Sequence, residues 1–293
     1  MARNRCLKMV LPIVLGTMMN QEAPPDPEAG DTNSYDASGK ETNCYGLCMK
    51  PDGTKLFLIG YTSDKAHQWN LSTANSLNGS SISYHGYIST SSQSGAQGGI
   101  HITDNGLHMY TADQSGDEVE HYTLSTAWDV TSATHTDVLD VSAKESTVND
   151  VFVKADGTEL YIIGSTQDDT HQYTMSTAYD LDSATFTRTL DTTGQSNFPM
   201  GIVFKPDGTK MYICSAQNDK IVQYDLSTAW DISSASFTDD SGSGSLSSEE
   251  ALPREFCIGE NGVYCYMTGS NSDTIWAYKM TTAWDITTLV QVQ

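Results

Sequence analysis

Two stretches of this sequence decide its fold: Phe204-Lys205-Pro206-Asp207-Gly208-Thr209-Lys210-Met211-Tyr212 and, shortly after it, Tyr224-Asp225-Leu226-Ser227-Thr228-Ala229-Trp230-Asp231. Similar stretches recur about five times along the chain. An Asp-Gly or Asn-Gly dipeptide recurs at spacings of 53, 51, 51 and 54 residues, and an Asp placed five residues before an aromatic gives the same four spacings. The dipeptides are Asp52-Gly53, Asn105-Gly106, Asp156-Gly157, Asp207-Gly208 and Asn261-Gly262. Two independent markers that keep register indicate true repeats, so the chain is an array of similar units.

Each unit has the pattern of four short strands. Apolar residues alternate before the dipeptide, as Ile202 and Phe204 do, and this is the period of a strand. The dipeptide predicts a tight hairpin, because glycine accepts the positive φ that the turn requires. A second strand follows, then a third that carries the aromatic, then a weaker fourth. Four strands in roughly 40–50 residues are typical of a β-propeller blade.

The predicted fold is therefore all-β: a single β-propeller of five four-stranded blades, preceded by an extended N-terminal arm and spacer over residues 1–43. The blades are predicted at about 44–97, 98–149, 150–200, 201–252 and 253–293. Ring closure removes the exposed sheet edges. Because Asn33–Gly39 resembles the linker Thr189–Gly194, we expect the two chain ends to meet in the closing blade. Closure by strands from a partner chain is the alternative.

The repeat resembles the Tyr-Asp-Leu-Ser-Thr-Ala-Trp-Asp propeller proteins found among virion and tail proteins of marine bacteriophages. The resemblance covers about residues 44–293 and rests on the two stretches quoted above. The first unit departs from it, since Asn75 and Ser76 stand where the other units have an aromatic followed by Asp. The resemblance implies a structural role in a virion, and it is more specific for the repeat than for a function.

Composition excludes some partners. The chain has 37 acidic and 15 basic residues and a formal net charge of −22. Such a charge repels phosphates, so nucleic acid is excluded as a partner of the propeller. The cysteines form no Cys-x-x-Cys pair, so no metal site is predicted, and no cofactor motif is present. We expect buried free thiols; a Cys48–Cys257 disulfide is the less favoured alternative, because equivalent positions on adjacent blades are usually too far apart.

The N-terminus has a basic start followed by a short apolar run. The run is too short to span a bilayer as a helix. It is either a retained arm that docks on a partner or a cleaved secretory signal, and the prolines within Gln21–Asp31 predict an extended spacer after it. The predicted docking residues are Met9, Val10, Leu11, Ile13, Val14 and Leu15.

The titratable residues predict no enzyme. The recurring aspartates are explained by side-chain bonding to the backbone of turns, and no acid pair stands out from the repeat as glycoside hydrolysis would need. No nucleophile elbow, phosphate loop or histidine metal motif occurs. The recurring aspartates are Asp64, Asp117, Asp168, Asp219 and Asp273, and then Asp129, Asp180, Asp231 and Asp285.

A recurring aromatic after the third strand is the candidate binding feature. Aromatic faces bind sugar rings, and repetition would give avidity. The alternative is that each aromatic fixes the turn into the fourth strand. The residues are Trp128, Tyr179, Trp230 and Trp284.

The sequence thus predicts a non-enzymatic virion component, a capsid decoration or tail-associated protein. It would bind other virion proteins through its arm and adhere to host-surface glycan through the aromatics. A secreted, lectin-like propeller is the alternative, and a five-bladed glycosidase is a weaker one.

Overall fold

The structure is a computed structural model that describes residues 34–242, 245–247, 249–259 and 261–292. Within these residues five antiparallel sheets form the blades of a five-bladed β-propeller, which confirms the predicted fold. Blade 1 contains β2–β5, blade 2 β6–β9, blade 3 β10–β13, blade 4 β14–β17 and blade 5 β18–β21 together with β1. The strands are β1 (Ser34–Asp36), β2 (Cys44–Met49), β3 (Lys55–Gly60), β4 (Lys65–Leu71), β5 (Ile82–Ser89), β6 (Gln97–Ile102), β7 (His108–Asp113), β8 (Glu118–Leu124), β9 (Ala133–Asp140), β10 (Val148–Val153), β11 (Glu159–Gly164), β12 (Asp169–Met175), β13 (Ala184–Asp191), β14 (Pro199–Phe204), β15 (Lys210–Ser215), β16 (Lys220–Leu226), β17 (Ala235–Asp240), β18 (Pro253–Ile258), β19 (Tyr264–Gly269), β20 (Thr274–Met280) and β21 (Leu289–Gln291).

The two chain ends meet in blade 5, as predicted. Strand β1 pairs with the first half of β20, where Ser34 lies opposite Trp276, and β21 pairs with the second half, where Leu289 lies opposite Met280. The outer strand of this blade is thus shared between the two ends of the described chain. Such closure leaves the ring without an open sheet edge between its first and last blades.

Turn chemistry accounts for the repeated motif. The glycines of the five dipeptides all have φ near +70°, between 69° and 72°, as a tight hairpin requires. The first recurring set of aspartates, such as Asp168 with φ 57°, occupies left-handed turn positions. The second set caps single 3₁₀ turns, as when Asp231 accepts a hydrogen bond from the Ser233 backbone N–H. The 3₁₀ turns are Val130–Ser132, Leu181–Ser183, Ile232–Ser234 and Ile286–Thr288.

Adjacent blades are joined by apolar clusters and by one repeated hydrogen bond. A tyrosine of the second strand donates its hydroxyl to a backbone carbonyl of the next blade. The bond from Tyr266 in blade 5 to the Asn75 carbonyl in blade 1, at 2.9 Å, closes the ring. In blade 1 the equivalent residue is Phe57, which packs against Trp128 instead. The hydrogen-bonded pairs are Tyr110–Tyr179, Tyr161–Trp230, Tyr212–Trp284 and Tyr266–Asn75.

Candidate functional site

The inner strands of the five blades enclose a cavity of about 350 Å³ on the axis of the ring. Its mouth lies at the hairpin turns, where Asp104, Ala155 and Pro206 are exposed. Its wall is formed mainly by apolar side chains of β2, β6, β10, β14 and β18. A concave, mostly apolar pocket of this size is typical of a small-molecule site.

Two layers of equivalent residues shape the interior of the cavity. The channel layer lies four residues before the Asp or Asn of each dipeptide and contains Cys48, His101, Phe152, Val203 and Cys257. The floor layer lies six residues before it, deeper from the mouth, and contains Gly46, Gly99, Asp150, Gly201 and Glu255. The floor therefore has three glycines and two carboxylic acids where a perfect repeat would have five like residues.

The glycines make room for the two acids. A Cβ added to Gly99 in blade 2 would lie 1.7 Å from Asp150 Oδ1, and one added to Gly201 in blade 4 would lie 2.3 Å from Glu255 Oε1. The pairing of each inner strand with the second strand of its blade also has a register shift. The shift lies just before the floor residue in four strands, and in β6 it spans the floor residue. Bulges of this kind often re-aim side chains next to active sites. Asp150 and Glu255 thus extend over the glycines of neighbouring blades towards the ring axis.

The two carboxyl groups are buried and close enough to interact with each other. Asp150 is 3% exposed and Glu255 is 2% exposed. Asp150 Oδ2 accepts the Ile202 backbone N–H at 2.8 Å, and Glu255 Oε1 accepts its neighbour Phe256 N–H at 2.8 Å. The other oxygens, Asp150 Oδ1 and Glu255 Oε2, are buried and have no hydrogen-bond partner among the described residues. Two carboxylates buried side by side repel each other, so the pair favours a state in which one of them carries a proton.

Burial sets the protonation of this pair. Burial raises the pKa of Asp150 from 3.8 to about 7, opposed by the hydrogen bonds from Glu255 and from the Ile202 and Val151 backbone. Burial, and then the charge of Asp150, raise the pKa of Glu255 well above its usual range. Once one acid in an apolar site is ionised, ionising a second one beside it costs additional free energy. Near neutral pH the pair therefore retains at least one proton, and two coupled acids of this kind can provide a general acid beside a general base.

The channel layer above the pair is uncharged. Burial lowers the pKa of His101 to about 4, so its imidazole is neutral near pH 7. Burial raises the pKa of the Cys48 thiol to about 12 and that of the Cys257 thiol well above its usual range, so both stay protonated. All five described cysteines are free and buried. No nucleophilic thiolate is available in this layer.

The four predicted aromatics occupy equivalent turns but have different surroundings. Each has a positive φ, and its ring lies against the hairpin glycine of its own blade. Trp230 and Trp284 line the cavity. Trp128 is 8% exposed and packs on Phe57, whereas Tyr179 stacks on His108 with ring centroids 4.2 Å apart. All four rings thus pack against the preceding blade, and two of them also line the cavity.

Other predicted features lie outside the cavity or outside the described residues. The predicted docking residues Met9 to Leu15 belong to the latter group. In the part of the chain that the structure describes, one group of three acids, Asp113, Glu118 and Glu120, has carboxylate oxygens within 4.8 Å of one another, and it lies in blade 2 away from the cavity. No helix of the described residues is long and apolar enough to cross a membrane.

The prediction that no acid pair departs from the repeat is wrong. Asp150 and Glu255 replace glycines in the floor layer, and the signal was present in the sequence. Counting back six residues from each marker dipeptide gives Gly, Gly, Asp, Gly and Glu. The recurring carboxylates belong to the turns that every blade repeats, whereas a site in a repeat fold is expected where the repeat is broken.

Solved structures share the fold. A protein from Lactobacillus plantarum has 13% identity to this chain and a TM-score of 0.51, with 85% of this chain and 70% of that chain covered. A candidate 6-phosphogluconolactonase from Bacteroides uniformis has 14% identity and a TM-score of 0.49, with 84% and 70% covered. The likeness to the Lactobacillus plantarum protein, at this identity, shows the fold alone. No curated protein compared with the chain matches it.

A family model does match, and it corrects the functional prediction. The model, described as the SMP-30/Gluconolactonase/LRE-like region, matches residues 50–240. This family is named in part after an enzyme. The predicted non-enzymatic virion role and its lectin-like alternative are therefore wrong, and the prediction that the chain is not an enzyme is wrong as well. The resemblance to phage propellers, the partners and the location in a virion stay predictions. The match spans well over half of the chain, and the chain belongs to the SMP-30/gluconolactonase/LRE-like family.

Proposed function

We propose that this chain is a hydrolase of cyclic esters, a lactonase-type enzyme, and that the reaction takes place in the axial cavity with Asp150 and Glu255 as its acid–base pair. The family supports the reaction class. The observation that carries the assignment of the site is the pair itself: two buried, interacting carboxyl groups at the floor of a cavity open to solvent, in the layer where the repeat is broken.

The pair supplies both proton transfers that lactone hydrolysis needs. The ionised Asp150 accepts a proton from a water molecule as the water oxygen attacks the carbonyl carbon. The ring C–O bond then breaks, and the leaving oxygen takes the proton of Glu255. The product is a hydroxy acid, and the pair is left with Asp150 protonated and Glu255 ionised.

A proton transfer between the two acids resets the site. One proton moves from Asp150 to the neighbouring Glu255 and restores the starting state. The backbone N–H groups of Ile202 and Phe256 hold one oxygen of each acid in place throughout. The apolar wall lowers the local dielectric, which strengthens these interactions.

Lactone hydrolysis by the purified chain tests this proposal. We expect release of acid from neutral lactones, followed at constant pH, and loss of at least about 100-fold in kcat for Asp150→Asn and for Glu255→Gln, the scale of general acid–base catalysis. Asp239→Asn, which changes an exposed carboxylate on β17, is the matched control and should behave as the wild type. Turnover that survives in both floor variants would refute the assignment of the pair.

A further inference from the structure

We propose that blade 2 binds a calcium ion through the carboxylates of Asp113, Glu118 and Glu120, at a site separate from the axial cavity. One carboxylate oxygen of each acid lies within 4.8 Å of those of the other two. Calcium binds oxygen at about 2.3–2.6 Å, so two of its ligands can lie about 4.6–5.2 Å apart. The three oxygens are therefore close enough to share one calcium ion. Such a site does not depend on the reaction proposed for the cavity.

Two of the carboxylates meet beside a glycine. Asp113 Oδ1 accepts the backbone N–H and the hydroxyl of Ser115, at 2.9 and 2.8 Å, and this leaves Oδ2 for another partner. A Cβ added to Gly116 would lie 2.6 Å from Asp113 Oδ2 and 3.0 Å from Glu118 Oε2. Both oxygens therefore border the same small space.

Three buried side chains beside the acids carry polar atoms without a partner. Gln97 and Thr111 are 0% exposed, and Tyr122 is 1% exposed. Both amide atoms of Gln97 and the hydroxyls of Thr111 and Tyr122 have no hydrogen-bond partner among the described residues. Gln97 lies opposite Asp113 in the sheet, and opposite residues share a face. Thr111 lies opposite Glu120 in the same way. Burial, and then the charges of Glu120 and Asp113, raise the pKa of the Tyr122 hydroxyl, so this hydroxyl is close to the two carboxylates.

A bound cation would supply what these side chains lack. Buried polar atoms are nearly always paired, so orphaned oxygens next to three acids indicate ligands of a cation. Carboxylate, amide and hydroxyl oxygens are the donors that calcium prefers. Asp113 and Glu120 are 2% and 3% exposed, and buried charges are costly unless they are compensated. Glu120 Oε2 lies 2.5 Å from His135 Nε2, and a carboxylate that binds a metal is commonly held by a second residue in this way.

The three acids together are specific to blade 2. They lie 8, 13 and 15 residues after the Asn of its marker dipeptide. Blade 3 has an acid, Asp169, at the second of these positions, but Gly164 and His171 at the other two, and the remaining blades have no acid at any of the three. The cluster is therefore a departure from the repeat that no turn requires. The cysteine pattern, from which no metal site is predicted, does not bear on a site with oxygen donors.

The site would connect all four strands of its blade. Gln97 lies on β6, Asp113 on β7, Glu120 on β8 and His135 on β9. Tyr122 also belongs to the apolar cluster that joins blade 2 to blade 1. A calcium ion at this point should therefore stabilise the blade and its contact with the preceding one.

Binding of Ca²⁺ to the purified full chain tests the site. After removal of metals with EDTA, equilibrium dialysis against radioactive CaCl₂ counts the ions bound per chain. Glu118→Gln should bind one ion fewer than the wild type. Glu118 is half-buried, so this variant should fold. Asp169→Asn removes a half-buried acid at the equivalent position of blade 3 and is the matched control, which should bind as many ions as the wild type.

Thermal unfolding gives a second readout, whose sign depends on the metal. In EDTA, Glu118→Gln should unfold at the same temperature as the wild type or higher, because it removes repulsion among the three acids. At a CaCl₂ concentration about 100-fold above the dissociation constant, the Tm of the wild type should rise by about 5 °C more than that of Glu118→Gln, since an ion that binds the folded state stabilises it by mass action.

Several results would overturn the proposal. Equal numbers of bound ions in the wild type and Glu118→Gln would do so. A variant that is less stable than the wild type by the same amount in EDTA and in CaCl₂ would show that Glu118 has a structural role alone. MgCl₂ should give a smaller rise in Tm, because Mg²⁺ requires near-octahedral ligands at about 2.0–2.1 Å. An equal or larger rise with MgCl₂ would overturn the assignment of the ion as calcium.

Discussion

Replacing Asp150 by Asn should stabilise the folded chain at neutral and alkaline pH, even though it is expected to abolish activity. In the unfolded chain Asp150 has its ordinary pKa of 3.8, whereas burial in the folded chain raises its pKa to about 7. Between these two values the unfolded chain releases a proton that the folded chain retains. The free energy of unfolding therefore falls as the pH rises through this window, and the loss is complete above about pH 7.

The size of the effect follows from the two pKa values. At about 1.4 kcal/mol per pKa unit, a rise from 3.8 to about 7 corresponds to about 4 kcal/mol of lost stability at high pH. Relaxation of the protein and penetration of water reduce such a cost, so we expect Asp150→Asn to recover about 2–4 kcal/mol. An Asn keeps an oxygen to accept the Ile202 N–H and presents an amide to Glu255, so it leaves no new orphaned group at the floor.

Urea unfolding of the wild type and the variant over a range from about pH 5 to pH 8 measures this effect. The difference in unfolding free energy between them should grow by roughly 2 kcal/mol across that range, because the Asn side chain has no proton to release. Asp239→Asn is the control and should show a constant, small difference. Parallel curves for wild type and Asp150→Asn would refute the reasoning, since they would mean that the folded state does not hold the proton of this pair.

Three further predictions follow from the same geometry. Gly99→Ala should destabilise the chain by about 1–3 kcal/mol and lower its activity, because the new Cβ would lie 1.7 Å from Asp150 Oδ1. In the control Gly95→Ala the nearest atom to the new Cβ would be 3.9 Å away, so thermal unfolding and turnover should both match the wild type. Tyr266→Phe should cost about 1 kcal/mol in urea unfolding, because it removes the hydrogen bond that closes the ring, whereas Tyr87→Phe on the exposed face of β5 should cost nothing measurable. The rate of lactone hydrolysis should rise with pH through about 7 as Asp150 ionises and fall at higher pH as Glu255 loses its proton; an ascending limb centred near pH 4 would contradict the assignment of Asp150 as the base.

The propeller could be predicted because its signals are local and repeated. Each hairpin glycine and each capping aspartate acts within a few residues, so the sequence alone indicates the turn that it makes. The meeting of the two ends of the described chain could also be predicted, because Asn33–Gly39 resembles the linker Thr189–Gly194. These features depend on which residues are near in sequence, and that is what a single sequence shows best.

The functional pair is a different case. Asp150 and Glu255 lie on inner strands of blades 3 and 5, two repeats apart, and only the arrangement of the blades in a ring brings their carboxyl groups together. Which of the recurring aromatics line the cavity could not be predicted from the sequence either. Trp128 and Trp230 occupy the same turn in their repeats, and each packs against the second strand of the preceding blade. Of these two, Trp230 alone lines the cavity.

The floor layer shows how a symmetric ring acquires an asymmetric site. Glycine at three of five positions leaves space on the axis, and a longer side chain at the other two fills it, as the close approach of added Cβ atoms at Gly99 and Gly201 demonstrates. If Ala stood at either glycine, the acid beside it would have to move, so the glycines and the acids form one unit. Buried acids with raised pKa values lower the stability of the fold, and a fold selected for stability alone would not keep them. Their presence at the one layer where the repeat breaks, inside a cavity that opens to solvent, is therefore most simply explained by chemistry that occurs there.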